Sequence, residues 1–145
     1  DFSFSPKKDG VKVANSVAPN KRPRSSMTPV IIFNQDGSFF AAIGSPGGPK
    51  IISYVAQTVI ALLDYGLSMQ EAINLPRHVT TGKTLELEAD TTLSELKPKM
   101  EAMGHRVILK RQHSGLHGIR LLRDNSIEIL DGGADPRREG RVLLQ

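Results

Sequence analysis

Cysteine is absent from this 145-residue chain. That excludes a disulfide framework, a thiolate zinc site and a cysteine nucleophile within these residues, and it leaves the redox compartment open. Tryptophan is absent as well, and aromatic residues make up only 5%, too few to build a base-stacking platform. No apolar run approaches the ~20 residues that span a bilayer. The longest helical apolar stretch, Ile51 to Leu63, is interrupted by Ser53, Gln57 and Thr58. Asp1-Phe2-Ser3 opens the chain without Met and without the basic and apolar regions of a signal peptide. The expectation is therefore a processed or cut piece of a longer polypeptide.

What is present suits a globular domain: 39% apolar and 23% charged residues argue against disorder. The net charge of +4 is unevenly placed. Residues 1 to 30 hold six Lys/Arg against two Asp, and the remainder holds thirteen charges of each sign. The excess thus lies on one opening segment and forms no stripe across a folded face. A basic patch beside a small anionic ligand fits that distribution as well as a nucleic acid does. With no aromatics interleaved among the basic residues, no nucleic-acid partner is expected.

Residues 1–28 read as an irregular segment punctuated by Pro6, Gly10, Pro19, Asn20 and Pro23. A segment this long without secondary structure is usually functional or lies at an edge. Sheet and helix are expected over 29–145. Val30 to Phe33 and Ser38 to Ile43 are β-rich runs separated by Asn34-Gln35-Asp36-Gly37, a hairpin signal. Their near-continuous apolarity predicts strands covered on both faces. A helix follows from about Lys50 to Tyr65, with Ile51, Ile52, Val55, Val59, Leu62 and Leu63 at helical spacing and Gly66 as the stop. Ser68-Met69-Gln70-Glu71 forms a capping box for a second helix ending before Pro76. Thr92 to Glu95 offers another, for a helix split at Pro98. Thr84 to Glu88, Arg106 to Lys110, Gly118 to Arg123 and Ser126 to Leu130 read as strands, the last two joined at Asp124-Asn125, and Asp131 to Gly140 reads as a polar, turn-rich tail. The fold class is α+β.

Three features could support chemistry. Gly44-Ser45-Pro46-Gly47-Gly48 lies between a strand and a helix start. Paired glycines there can present backbone N–H groups to a phosphate or to the oxyanion formed when a carbonyl is attacked, and they also suit a plain tight turn. The Gly-Lys-Ser/Thr ending of a nucleotide-binding loop is missing. Second, Ser25-Ser26 follows the basic, proline-stiffened run Pro19 to Arg24. Adjacent hydroxyls can hold a carboxylate without a buried charge, although such a pair is often only a solvated loop. Third, His113 and His117 have ligand-like spacing, with His105 nearby, but no carboxylate adjoins them. No metal site is expected.

Pro19-Asn20-Lys21-Arg22-Pro23-Arg24-Ser25-Ser26-Met27-Thr28-Pro29 and Gly44-Ser45-Pro46-Gly47-Gly48 together resemble the small subunit of the γ-glutamyltranspeptidase family. Asp64-Tyr65-Gly66-Leu67, Glu71 to Arg77 and Asp135-Pro136-Arg137 follow in that family's order. The resemblance covers essentially the whole chain and identifies it as the C-terminal portion of that subunit. It implies part of an N-terminal-nucleophile hydrolase, a four-layer αββα sandwich formed by self-cleavage of a precursor. In such enzymes a terminal Thr attacks the γ-glutamyl amide of glutathione and related compounds, with its own amine as base, and the acyl group passes to water or to an acceptor amino acid or peptide. Position by position, the resemblance makes Ser25 and Ser26 the pair that holds the α-carboxylate. It makes Gly47 and Gly48 the oxyanion-hole donors, and Asp1 the partner of the α-ammonium. Asp135-Pro136-Arg137 is structural by the same pattern. No cofactor is implied, and the location implied is periplasmic or secreted.

The departures are also specific. In the family the nucleophilic Thr lies upstream of the position of Asp1, and the large subunit of the same precursor supplies an Arg to the α-carboxylate. Thr28, Thr80 and Thr81 are internal and lack a terminal amine. The alternatives are a related acylase of the superfamily, similar to cephalosporin acylase, and a homologue that has lost its nucleophile.

Overall fold

The computed structural model describes residues 2–124 and 127–143. In chain order it contains β1 (Lys7–Lys8), β2 (Val11–Lys12), β3 (Val30–Phe33), β4 (Phe39–Gly44), a 3-10 turn (Gly48–Lys50), α1 (Ile51–Leu63), α2 (Met69–Asn74), β5 (His78–Thr81) and β6 (Thr84–Glu88). A second 3-10 turn (Thr92–Leu96), α3 (Lys97–Ala102), β7 (Arg106–Lys110), β8 (His117–Asp124) and β9 (Ile127–Ala134) complete it. Strands β3-β4-β8-β9 form an antiparallel sheet. In β5-β6-β7 the first pair is antiparallel, and β6 and β7 run parallel across the α3 connection. Helices and strands mix as an α+β fold requires.

The β3–β4 hairpin is made by its own turn. Gly37 takes φ +82°, and the Asp36 carboxylate accepts from the Ser38 amide at 2.9 Å and hydroxyl at 2.6 Å. These two bonds hold the Asp36 carboxyl below its ordinary range. In β3, Val30 and Ile32 pack on the core while Ile31 and Phe33 are 61% and 60% exposed. The strand therefore alternates. Its apolar run is covered on one face only within these residues, against the expectation of cover on both. Ile31, Ala42, Ile119 and Gly132 line an open apolar groove on that bare face, beside Val142.

The other face meets the helices. Ile51, Tyr54, Val55, Thr58, Ala61 and Leu62 recur at three- and four-residue spacing, so α1 buries one stripe. Ala41 and Ile43 of β4, Met69, Ala72 and Ile73 of α2, Val79 of β5 and Leu116 close the same core. Each fully buried aliphatic side chain contributes about 1.5–3 kcal/mol. Gly66, at φ +67°, turns the chain at the end of α1 so that the Leu67 amide bonds back to the Ala61 carbonyl. The Ser68–Glu71 capping box forms as expected, and its bonds lower the Glu71 carboxyl.

Some local details differ from the expectations. Thr91, rather than Thr92, caps the turn at 92–96, by accepting from the Leu93 amide. The run from Thr92 is divided into a 3-10 turn and α3, as the expected split implies, and Pro98 lies in the first turn of α3, where its missing N–H costs nothing. Strand β9 runs on through Asp131 to Ala134, because these residues pair with β8 down to His117. Strand β5 has no strong apolar period and is held by its pairing with β6. The join expected at Asp124-Asn125 includes Asn125, outside the described residues. The opening segment is irregular except for the hairpin of β1 and β2, turned by Asp9 and Gly10 at positive φ.

Candidate active site

The two motifs far apart in sequence face one pocket of about 480 Å³. Pro23 to Met27 line one side, and Ser45 to Pro49 with Ile51 line the other. Gly47 has φ 140° and ψ 9°, and Gly48 has φ 57°; both are left-handed conformations that side-chain-bearing residues avoid. A Cβ on Gly47 would also lie 2.8 Å from Cε2 of Tyr54, so only glycine fits. The Gly47 carbonyl accepts from the Lys50 amide at 3.3 Å, and the 3-10 turn runs directly into α1. The amides of Gly47 and Gly48 donate to no acceptor among the described residues. Two adjacent N–H groups in a partly exposed loop can therefore serve a developing negative oxygen.

The opposite wall is built differently. The Ser25 hydroxyl accepts from the Met27 amide at 3.2 Å, a local turn that leaves its own proton to give. The Ser26 carbonyl accepts from the Thr28 hydroxyl at 2.9 Å, and the Arg24 amide donates to Asn15 at 2.8 Å. Ser25 is exposed and Ser26 half-buried. Arg24 adds a cation to the lining. Neutral donors with a cation nearby suit a carboxylate. Asp1, the expected partner of an ammonium, lies outside the described residues.

A sequence model of the family described as Gamma-glutamyltranspeptidase matches residues 1–144. The chain belongs to that family. It is 41% identical over 126 residues to the glutathione hydrolase proenzyme of Escherichia coli (strain K12), covering 86% of this chain and 21% of that protein. It thus spans about a fifth of the length of that curated relative. The γ-glutamyltranspeptidase T380A mutant of Helicobacter pylori superposes with a TM-score of 0.79 at 30% identity, over 94% of this chain and 77% of that one. The acylase ACY 1 proenzyme of Pseudomonas sp. (strain SE83) is 33% identical over 127 residues, covering 88% of this chain and 22% of that protein. The α+β fold is thus that of the γ-glutamyltranspeptidases, part of the N-terminal-nucleophile hydrolase sandwich.

Sequence reasoning missed most of what lies behind this family's glycine loop. Arg137 makes a forked pair with Glu88, Nε to Oε1 at 2.5 Å and Nη2 to Oε2 at 2.7 Å, and reaches Asp135 at 3.1 Å. Asp135, fully buried, accepts from the Ser114 hydroxyl at 2.5 Å and the Leu116 amide at 3.2 Å. Burial pushes its carboxyl up, but these bonds and those from Arg137 outweigh that and hold it below its ordinary range. Arg77 is also fully buried. Desolvation, with the charge of Arg137, lowers its guanidinium to about 10, and its Nε has no partner among the described residues. Asp135-Pro136-Arg137 is packed as an internal brace. The only sequence signal for the cluster was charge at positions of no clear period. His117 places Nδ1 3.1 Å from the Gly115 carbonyl, and the His113 carbonyl accepts from Arg138. Among the described residues no group of three or more His, Asp or Glu is placed to hold a metal ion.

Proposed function

We propose that this chain is the substrate-binding and oxyanion-stabilising part of an enzyme that cleaves γ-glutamyl amides such as glutathione. The observation behind this reading is the shared pocket of Ser25-Ser26 and Gly47-Gly48. The Ser25 and Ser26 hydroxyls donate to the α-carboxylate, and Asp1 takes the α-ammonium. That places the γ-carbonyl toward the glycine amides. A terminal Thr upstream of this chain attacks that carbonyl. The Gly47 and Gly48 amides stabilise the oxyanion as the C–N bond breaks and the amine leaves with a proton. Water, or an acceptor amino acid or peptide, then takes the γ-glutamyl group by the reverse sequence.

The large subunit of the same precursor is the proposed partner, and the bare apolar face of Ile31, Phe33 and Leu130 is the surface it would share. A periplasmic or secreted location goes with the family reading. No helix among the described residues is long and apolar enough to cross a membrane.

A second reading, an acylase acting on glutaryl amides, has the Pseudomonas relative in its favour. Glutaryl and γ-glutamyl groups present the same terminal carboxylate and differ in the α-ammonium, so Asp1 is the residue that separates them. The test is intact-mass analysis of the complete gene product, followed by rates on γ-glutamyl- and glutaryl-p-nitroanilide. Two chains, the smaller starting with Thr and containing these residues, with faster γ-glutamyl release, support the proposal. Faster glutaryl release supports the acylase. An uncleaved, inactive chain supports the homologue without a nucleophile. The 145-residue chain alone is expected to turn over neither substrate, because it offers no terminal Thr.

A further inference from the structure

Beneath the glycine loop lies a buried polar cluster that has no part in the chemistry above. The Tyr54 ring is 1% exposed and lies directly under Gly47. Its hydroxyl donates to Oε1 of Gln112 at 2.8 Å. Lys50, the last residue of the 3-10 turn, donates from Nζ to the same Oε1 at 3.1 Å and pairs with Glu86. Gln112 donates in turn from Nε2 to Oε2 of Glu86 at 3.2 Å. Lys can only donate and a carboxylate only accept, so the orientation of the Gln112 amide is fixed by its neighbours. Gln112 is 3% exposed and sits on the connection between β7 and β8.

The same connection grips the loop from the side. The Gly115 amide donates to the Ser45 hydroxyl at 3.3 Å, and that hydroxyl donates to the Pro46 carbonyl at 2.7 Å. A Cβ at Gly115 would lie 2.8 Å from Cγ of Pro46, so the Gly115 backbone packs closely on the Pro46 ring. Ser114, next to it, is tied to Asp135.

We propose that Gln112 is a positioning residue for the oxyanion-binding amides of Gly47 and Gly48, acting through Tyr54 below the loop and Lys50 at its end. This rests on the reading of the glycine pair as an oxyanion hole. Its physical basis is that the two glycines have no side chains to anchor them, and glycine is the residue with the greatest backbone freedom. Their N–H directions are therefore set by what lies against them. Hydrogen bonds weaken steeply with angle, and misplacement by about 1 Å costs as much as 10²-fold in rate.

The test uses the complete, self-processed protein. Gln112→Leu keeps much of the volume and removes both acceptor and donor, while Tyr54→Phe removes only the hydroxyl link and keeps the ring. For each, kcat on γ-glutamyl-p-nitroanilide is measured per active site titrated by the acylation burst, together with KM and thermal midpoint. The expected result for Gln112→Leu is a fall in kcat on the order of 10- to 100-fold with KM within about twofold, and a smaller fall for Tyr54→Phe, since donors that no longer point at the oxyanion lose transition-state binding alone. Gln112→Glu, which keeps the acceptor for Tyr54 and Lys50, should recover part of the loss. Should Gln112→Leu not fold, Tyr54→Phe decides the matter by the same kcat criterion. An unchanged kcat per titrated site in an active protein, whatever happens to the thermal midpoint, would show a merely structural cluster and overturn the proposal alone. Absence of γ-glutamyl cleavage by the unmodified protein would overturn the functional reading, and the positioning role with it.

Discussion

The two walls of the pocket are built on opposite plans. The Gly47-Gly48 wall stands on buried groups: the Tyr54 ring, the Gln112–Glu86–Lys50 cluster, and beyond it the Asp135–Arg137–Glu88 network. The Ser25-Ser26 wall is a more exposed loop that carries local bonds among residues 15–28. The contrast follows the chemistry each wall is proposed to do. Backbone amides can be aimed only by fixing the chain, so an oxyanion hole demands a rigid support. Hydroxyls rotate to meet a carboxylate and tolerate a looser frame. Precision is concentrated where the donor cannot reorient itself.

The comparison can be broken most severely at Glu88. Glu88→Ala removes the carboxylate that the Arg137 guanidinium forks and that the Arg77 backbone amide donates to, and it should destabilise the complete protein by about 3–5 kcal/mol, read from the urea unfolding midpoint. Next comes Gly47→Ala, which drives a methyl group into Tyr54 and requires φ 140° of an alanine. A loss of kcat on the order of 10²–10³-fold is expected for a displaced oxyanion donor. Destabilisation should reach about 1–3 kcal/mol. Near-normal kcat in this variant would mean that the glycine pair makes only a turn.

The Ser wall should respond in the reverse sense. Ser25→Ala or Ser26→Ala is expected to shift stability by less than about 0.5 kcal/mol, because Ser25 is exposed and Ser26 only half-buried. Each should weaken substrate use by about 1.5–3 kcal/mol, the usual range for a hydrogen bond to a charged group. Steady-state kinetics on γ-glutamyl and glutaryl amides, beside a denaturation curve, would check both halves of that statement.

Acid provides the gentlest probe. Asp135 and Glu86 are held below their ordinary range: burial raises each, and the bonds from Ser114 and Arg137 in one case, and Lys50 and Gln112 in the other, outweigh it. Their folded-state values lie below the unfolded ones. The stability they contribute is therefore fully present above the ordinary carboxylate range, near pH 4, and is lost as pH falls through the depressed values. The loss should appear as a falling unfolding midpoint, with a shallower slope in Asp135→Asn. Ser25 and Ser26 do not titrate there, so Ser25→Ala should leave the acid limb unchanged.

Much of this molecule is legible in its sequence. The Asn34–Gly37 hairpin, the extent of α1, the Ser68 capping box and the two site motifs are local patterns whose causes lie within a few residues, whereas Ile52 and Leu63, expected on the apolar stripe of α1, are exposed. Strand β5, the full length of β9 and the bare face of β3 were not legible, since each depends on which strand lies alongside or which layer lies above. Tyr54 illustrates the limit: it is absent from the apolar spacing read for α1, yet it is buried and its hydroxyl and ring edge serve Gln112 and Gly47.

By itself the sequence determined the residue types of the site, a neutral hydroxyl pair and a glycine pair, and hence the chemistry each can do. It also determined the helices and hairpins, because capping, turn formation and amphipathic spacing are short-range effects. Only the tertiary structure decided that residues 25–26 and 47–48 face one pocket, and that Gln112, some sixty residues beyond the glycines, lies beneath them. Such contacts depend on how sheets and helices pack as three-dimensional bodies, and no periodicity along the chain encodes that arrangement.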